Sequence, residues 1–160
     1  MKEVHLTVIP YRSNKYAQAC ELRNAILREP LGLSLYDENL SEENNYTHYG
    51  AFENEMIVAC LIAIPHSIFL AQIRQMAVSE DRRKMGVGRQ LMQYAEKDLL
   101  QKGFRKIFLH ARKKAVSFYL KLGYRSVGDE FEKLSIPHQK MEKIIHKHRK
   151  IESAAKRPKK

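Results

Sequence analysis

The chain has 160 residues, 44% hydrophobic and 29% charged, with a formal net charge of +11. That is the size and mixture of one globular domain with enough chain to bury a core. No apolar run approaches eighteen residues and no apolar leader opens the sequence, which argues against a membrane span or secretion and for a cytoplasmic protein.

Val4, Leu6 and Val8 alternate with His5, Thr7 and Ile9, so a first strand is expected up to Pro10. Ser13 or Asn14 can cap a helix carrying Tyr16, Ala19, Cys20, Ile26 and Leu27, which Pro30 and Gly32 end. Leu33 to Asn45 is polar and acidic and reads as a loop or a short second helix. Tyr46–Phe52 and Met56–Pro65 form a hairpin pattern turning at Glu53-Asn54-Glu55, and Phe69–Val78 reads as a further strand. After a charged turn, Ser79–Lys84, a helix runs from Val87 to Lys102 with Leu91, Ala95 and Leu99 at spacings of four, stopped by Gly103. Ile107–His110 is a short interior strand, and Ala115–Leu122 is a helix ended by Gly123. Tyr124–Phe131 and Ile136–Met141 are closing strands. The order predicts a mixed α/β sheet with helices on both faces, one domain over residues 1–143 and a basic tail over 144–160.

From Met141 to Lys160 there are eight Lys or Arg against two Glu, so more than half of the excess charge sits at one end. Weak polyanion binding and a merely solvated terminus both fit this pattern, since no aromatic residue offers base stacking. Cys20 and Cys60 stand alone in apolar contexts and read as buried free thiols. His146 and His148 are the only loosely spaced histidine pair, so no metal site is expected.

Arg83-Lys84-Met85-Gly86-Val87-Gly88 lies between a strand and a helix. Such a turn leaves backbone N–H groups unpaired at the positive end of a helix dipole, which suits a diphosphate. Gly86 and Gly88 allow close backbone approach, while Arg83, Lys84 and Arg89 add positive charge.

These residues resemble the GNAT superfamily of acyl-CoA-dependent N-acetyltransferases. Arg83, Gly86 and Gly88 match its Arg/Gln-x-x-Gly-x-Gly/Ala loop, and Phe118, Tyr119, Gly123 and Tyr124 match its Phe-Tyr-x-x-x-Gly-Phe/Tyr segment. Gln75-Met76-Ala77-Val78 looks like the cofactor-facing strand, and Ile136-Pro137-His138-Gln139-Lys140-Met141 is similar to the branch holding ElaA-like proteins. The resemblance covers about Leu6 to Lys143. It implies a mostly antiparallel sheet whose fourth and fifth strands splay apart, with acetyl-CoA in the cleft. Met76, Ala77 and Val78 would line pantetheine; Arg83, Lys84, Met85, Gly86, Val87, Gly88 and Arg89 would surround the diphosphate. Many members carry an Asn where this chain has Arg112, which would meet a cofactor phosphate or amide oxygen instead. Tyr119 would be the general acid for the leaving thiolate.

The implied reaction moves an acetyl group to a primary amine, small molecule or peptide, in a monomer or homodimer; a CoA-binding module with little catalysis is the alternative. The amine must be neutral to attack, so a base is needed. His48, His110, Glu130 and His138 are candidates, as is a water relay. A backbone N–H of Met76 or Val78 could polarise the carbonyl if a bulge freed it. Tyr36, Tyr46 and Tyr49 either line the acceptor pocket or pack as ordinary strand and loop residues. The acidic stretch Asp37, Glu38, Glu42 and Glu43 is either a solvated loop or a negative rim that attracts a cationic amine such as a polyamine, an aminoglycoside or a lysine side chain.

Overall fold

A computed structural model describes residues 3–145. The calls made on the basic tail beyond residue 145, including His146 and His148, lie outside the described residues. The elements are β1 (His5–Ile9), α1 (Asn14–Leu27), β2 (Thr47–Glu53), β3 (Met56–Pro65), β4 (Leu70–Val78), α2 (Val87–Gln101), β5 (Lys106–Arg112), α3 (Val116–Lys121), β6 (Arg125–Lys133) and β7 (Ile136–Ile144). The polar stretch before β2 contains two 3₁₀ turns, Leu35–Asp37 and Ser41–Asn45.

Seven strands form one sheet in the order β1-β2-β3-β4-β5-β7-β6. Every neighbouring pair is antiparallel except β4 and β5. Period-two alternation sorts the side chains into two cores. On one face Tyr49, Leu61, Ile73, Ile107, Leu109 and Met141 pack with Leu91, Met92, Ala95 and Leu99 of α2 and with Tyr119. On the other, Ile9, Phe52, Cys60 and Ala77 pack with Ala19 of α1. Leu91, Met92 and Leu99 are buried, each worth about 1.5–3 kcal/mol of apolar transfer. The fold is therefore the mixed, mostly antiparallel sheet with helices on both faces that the sequence indicates.

Three differences from the sequence reading matter for the cleft and the core. β5 extends through Arg112, so this residue belongs to a strand and obeys its alternation. α3 is only six residues long because a 3₁₀ turn, Lys113–Ala115, precedes it. β7 runs to Ile144, and Ile145 is buried in the core, so packing continues past residue 143.

Candidate active site

β4 and β5 are bonded only where Leu70–Ile73 faces Lys106–Leu109. Beyond that point β4 stays with β3 and β5 stays with β7, so the two strands part. A bulge marks the parting. Arg74 faces Ile62 and Ala77 faces Cys60, leaving Gln75 and Met76 opposite Leu61 alone. Gln75 takes φ 57°, a left-handed conformation rare for a non-glycine residue. The gap opens into a cleft of about 820 Å³, within the range of small-ligand sites.

The α2 side of the cleft is backbone-rich. Lys84 (φ 66°) and Gly86 (φ 88°) are both left-handed, which turns the chain sharply into the helix. A Cβ on Gly86 would meet nothing within 4 Å, so the open space lies directly over the loop. From Lys84 to Arg89, no backbone N–H donates to an acceptor among the described residues; the first helical bond comes from Gln90 to Gly86. Arg83, Lys84, Met85 and Arg89 line the cleft beside these amides. Gly88 has a different reason for being small. A Cβ there would stand 3.3–3.4 Å from the side chains of Met76, Phe118 and Val78, so it lets α2 approach β4 and α3. The Val87 and Ala77 side chains point into the two cores and are absent from the cleft wall; only their backbones can serve it.

Tyr119 sits in the wall at the start of the splay, its ring against Phe118 and Tyr124. Burial pushes its phenol well above the ordinary range. Its hydroxyl has no hydrogen-bond partner among the described residues. That separates it from Tyr124 and Tyr49, whose hydroxyls are committed to Glu96 at 2.7 Å and Asp98 at 2.6 Å.

The α1 side is built from side chains of separate segments. On β5, Leu109 and Ala111 enter the α2-side core, so His110 and Arg112 face the other way. His110 packs against Phe108 and Phe131, and its buried Nδ1 has no partner. Burial lowers its pKa, and Lys133, Lys140, His138 and Arg74 lower it further by repulsion. His138 also lines the cleft, with Nδ1 2.7 Å from the Ile136 carbonyl, a contact that makes Nδ1 the protonated nitrogen and Nε2 the acceptor. The β6–β7 hairpin turns on Leu134 and Ser135, both left-handed, and sets Leu134 in the cleft wall. Arg112 is half-buried, its charged form disfavoured first by burial and then by Arg28.

The sequence profile described as an acetyltransferase (GNAT) domain matches residues 22–145. The chain belongs to the GNAT acetyltransferase family. A provisionally named acetyltransferase of Bacillus subtilis is 28% identical over 130 residues, covering 78% of this chain and 86% of its own length. Among solved structures, Escherichia coli ElaA superposes with a TM-score of 0.74 at 20% identity, covering 89% of this chain and 99% of ElaA. An aminoglycoside 6'-N-acetyltransferase complexed with coenzyme A superposes with a TM-score of 0.76 at 20% identity, covering 89% and 98%. At that identity the two structures establish the fold.

Within this GNAT fold several sequence candidates fall outside the cleft. His48 is buried under the Ser41–Asn45 turn, with Nε2 2.8 Å from the Glu43 carbonyl and its ring against Tyr11 and Tyr16. Glu130 is exposed beside Lys113 at 3.5 Å. Tyr49 is a core residue. Tyr46 bonds Glu42 at 3.2 Å, and Tyr36 is exposed and absent from the cleft wall. Of the four acids of the expected negative rim, Glu43 and Glu38 are committed to arginines, whereas Asp37 and Glu42 are exposed and absent from the cleft wall. Glu43 is buried in a two-pronged pair with Arg23 at 2.9 and 2.6 Å and accepts from Tyr16 at 2.6 Å. Burial works to raise its pKa, but the bonds from Arg23 and Tyr16 prevail and hold the carboxyl below its ordinary range. Glu38 pairs with Arg28 at 2.6 Å. Ten cleft-lining residues are Lys or Arg and none is Asp or Glu, so the cleft wall itself is strongly positive.

Arg28, Arg74 and Lys133 were not singled out by sequence. They come from the end of α1, the β4 bulge and the β6–β7 turn, and no local spacing links them. Among the described residues, no three His, Cys, Asp or Glu side chains converge as metal ligands. No described helix is long and apolar enough to cross a membrane.

Proposed function

We propose that the chain transfers an acetyl group from acetyl-CoA to a primary amine by direct attack, with both substrates bound together. One observation carries this reading: unpaired amides of a helix-start loop and the unbonded hydroxyl of Tyr119 open onto the same strand splay. The amides and the adjoining Arg83, Lys84 and Arg89 suit the diphosphate of acetyl-CoA. Met76 and Val78, flanking the open strand edge, suit its extended arm.

Direct attack is favoured by what lines the cleft. Among the described lining residues there is no Cys, Ser or Thr to carry an acyl group. Cys20 and Cys60 are buried elsewhere, and burial pushes the Cys60 thiol up to about 12. The amine nitrogen would form the new bond to the carbonyl carbon as the carbon–sulfur bond breaks. His110, neutral near pH 7 because its pKa is lowered, would take the amine proton directly or through water. Tyr119 would protonate the leaving sulfur. Its raised pKa does not prevent this, because the same dry wall also destabilises a thiolate, raising both proton affinities together.

The test is thiol release from acetyl-CoA across a panel of amines, with product mass measured. Acceptor-dependent release and an N-acetylated product support the reading. A protein that binds coenzyme A but acetylates no amine would sustain only the binding-module alternative.

A further inference from the structure

We infer that the acceptor amine also carries an oxyanion, a carboxylate or phosphate, received by Arg28, Arg74, Arg112 and Lys133; this rests on the acetyltransferase reading above. The ten cations of the cleft wall divide by position. Arg82, Arg83, Lys84 and Arg89 stand around the start of α2, and Lys114 and Lys121 on the turn and helix that carry Tyr119. The other four are placed differently. Arg74 follows Ile73, a residue of the α2-side core, and Arg112 follows Ala111 of the same core, so alternation turns both away from that face. Arg28 caps the end of α1, and Lys133 ends β6.

These four share one neighbourhood. Arg112 is repelled by Arg28, and Lys133 by Arg74 and Arg28. Yet only Arg28 has a carboxylate partner, Glu38. The side chains of exposed Arg74, half-buried Arg112 and exposed Lys133 make no ion pair or hydrogen bond with any described residue. Arg112, the half-buried one of the three, is unfavourable without a counter-charge, and crowding it with further cations makes it more so. A bound oxyanion reverses both terms and suits the planar donors of two arginines. The same field repels polyamines and aminoglycosides. His110, on the same strand face as Arg112, is then beside the incoming amine.

The experiment uses the full chain with acetyl-CoA and matched acceptors: 4-aminobutyrate against 4-aminobutanamide, O-phosphoethanolamine against ethanolamine, and spermidine. At least one anionic amine should exceed its uncharged counterpart in kcat/KM by about tenfold or more, with spermidine poorest. Which pair shows the gap tells carboxylate from phosphate. Arg112→Gln and Arg74→Gln, checked for native melting, should each erase most of that gap while leaving KM for acetyl-CoA within about twofold. Equal rates for charged and uncharged acceptors overturn the proposal. So does a rise in KM for acetyl-CoA alone, which would assign these cations to the phosphates of the cofactor.

If nothing in the panel is acetylated, the CoA-saturated protein is titrated calorimetrically with O-phosphoethanolamine and 4-aminobutyrate. Binding that Arg112→Gln abolishes supports the proposal, and no binding to either overturns it. Failure to bind coenzyme A at all would instead sink the transferase reading.

Discussion

The two sides of the cleft are made by different means. The α2 side uses consecutive residues, Lys84 to Arg89, whose backbone amides point outward because two of them are left-handed. The α1 side uses the ends of α1, β4, β5 and β6, brought together only by the sheet order. A site made of contiguous backbone tolerates drift in its side chains. A site assembled from scattered side chains can change its ligand by single substitutions. On the proposed reading, the acetyl donor would rest on the first kind of construction and the acceptor on the second.

Tyr119→Phe gives the largest expected effect, because it removes the hydroxyl proposed as the proton donor between the two sides without touching either. A fall in kcat of about 10²- to 10⁴-fold is expected, with coenzyme A affinity unchanged by calorimetry. Retained kcat would remove the acid role. Lost CoA affinity would mean that the ring shapes the cofactor side instead.

Arg23→Met comes next and acts on the scaffold of the α1 side. It leaves Glu43 buried without its guanidinium, a loss of about 3–5 kcal/mol in unfolding experiments. Its pH sign also follows. Glu43 has a lowered folded pKa, so its contribution is full above the unfolded value of 4.5 and is lost as pH falls through the folded one. The variant should therefore lose part of the wild type's acid-induced drop in stability. An unchanged denaturation midpoint would mean that the buried Arg23–Glu43 pair does not hold the α1 side together.

How far the sequence goes is clearest along these same residues. Strand alternation and the Gly-x-Gly turn are local, so the sheet, both helical layers and the turn at the start of α2 could be read directly. Arg23 could not. An arginine at a helix position beside Ala19 and Cys20 looks like a solvated residue until the distant Glu43 is folded over it. Gln75 gives no sign of its left-handed backbone, because nothing about glutamine prefers that region. Arg112 was legible in part. Its alternation with Leu109 and Ala111 is visible, but ending the strand at His110 hid the face to which it belongs.

Gly86→Ala tests the α2 side alone. The space for a methyl group exists, so the cost is conformational, about 1–2 kcal/mol at φ 88°. Affinity for coenzyme A should fall about 5- to 30-fold if the loop relaxes to escape that strain, while KM for the acceptor stays constant. Equal changes in both would deny that the two sides are separable.

The smallest effect is a shift in a pH profile, and it probes the α1 side. Protonated His110 is disfavoured by burial and then by Lys133, Lys140, His138 and Arg74, so the acid limb of kcat/KM should lie below the ordinary histidine value of about 6.5. Lys133→Gln removes the largest of those repulsions. The imidazolium becomes easier to form, its pKa rises, and the limb must move toward higher pH. The loss of activity with acid should then begin earlier in the variant than in the parent. A limb that does not move assigns the titration to another group, with His138, bonded through Nδ1 to the Ile136 carbonyl, the next to replace. A limb that moves the opposite way would mean that Lys133 does not act on the base through its charge, and the α1 side would lose its electrostatic account.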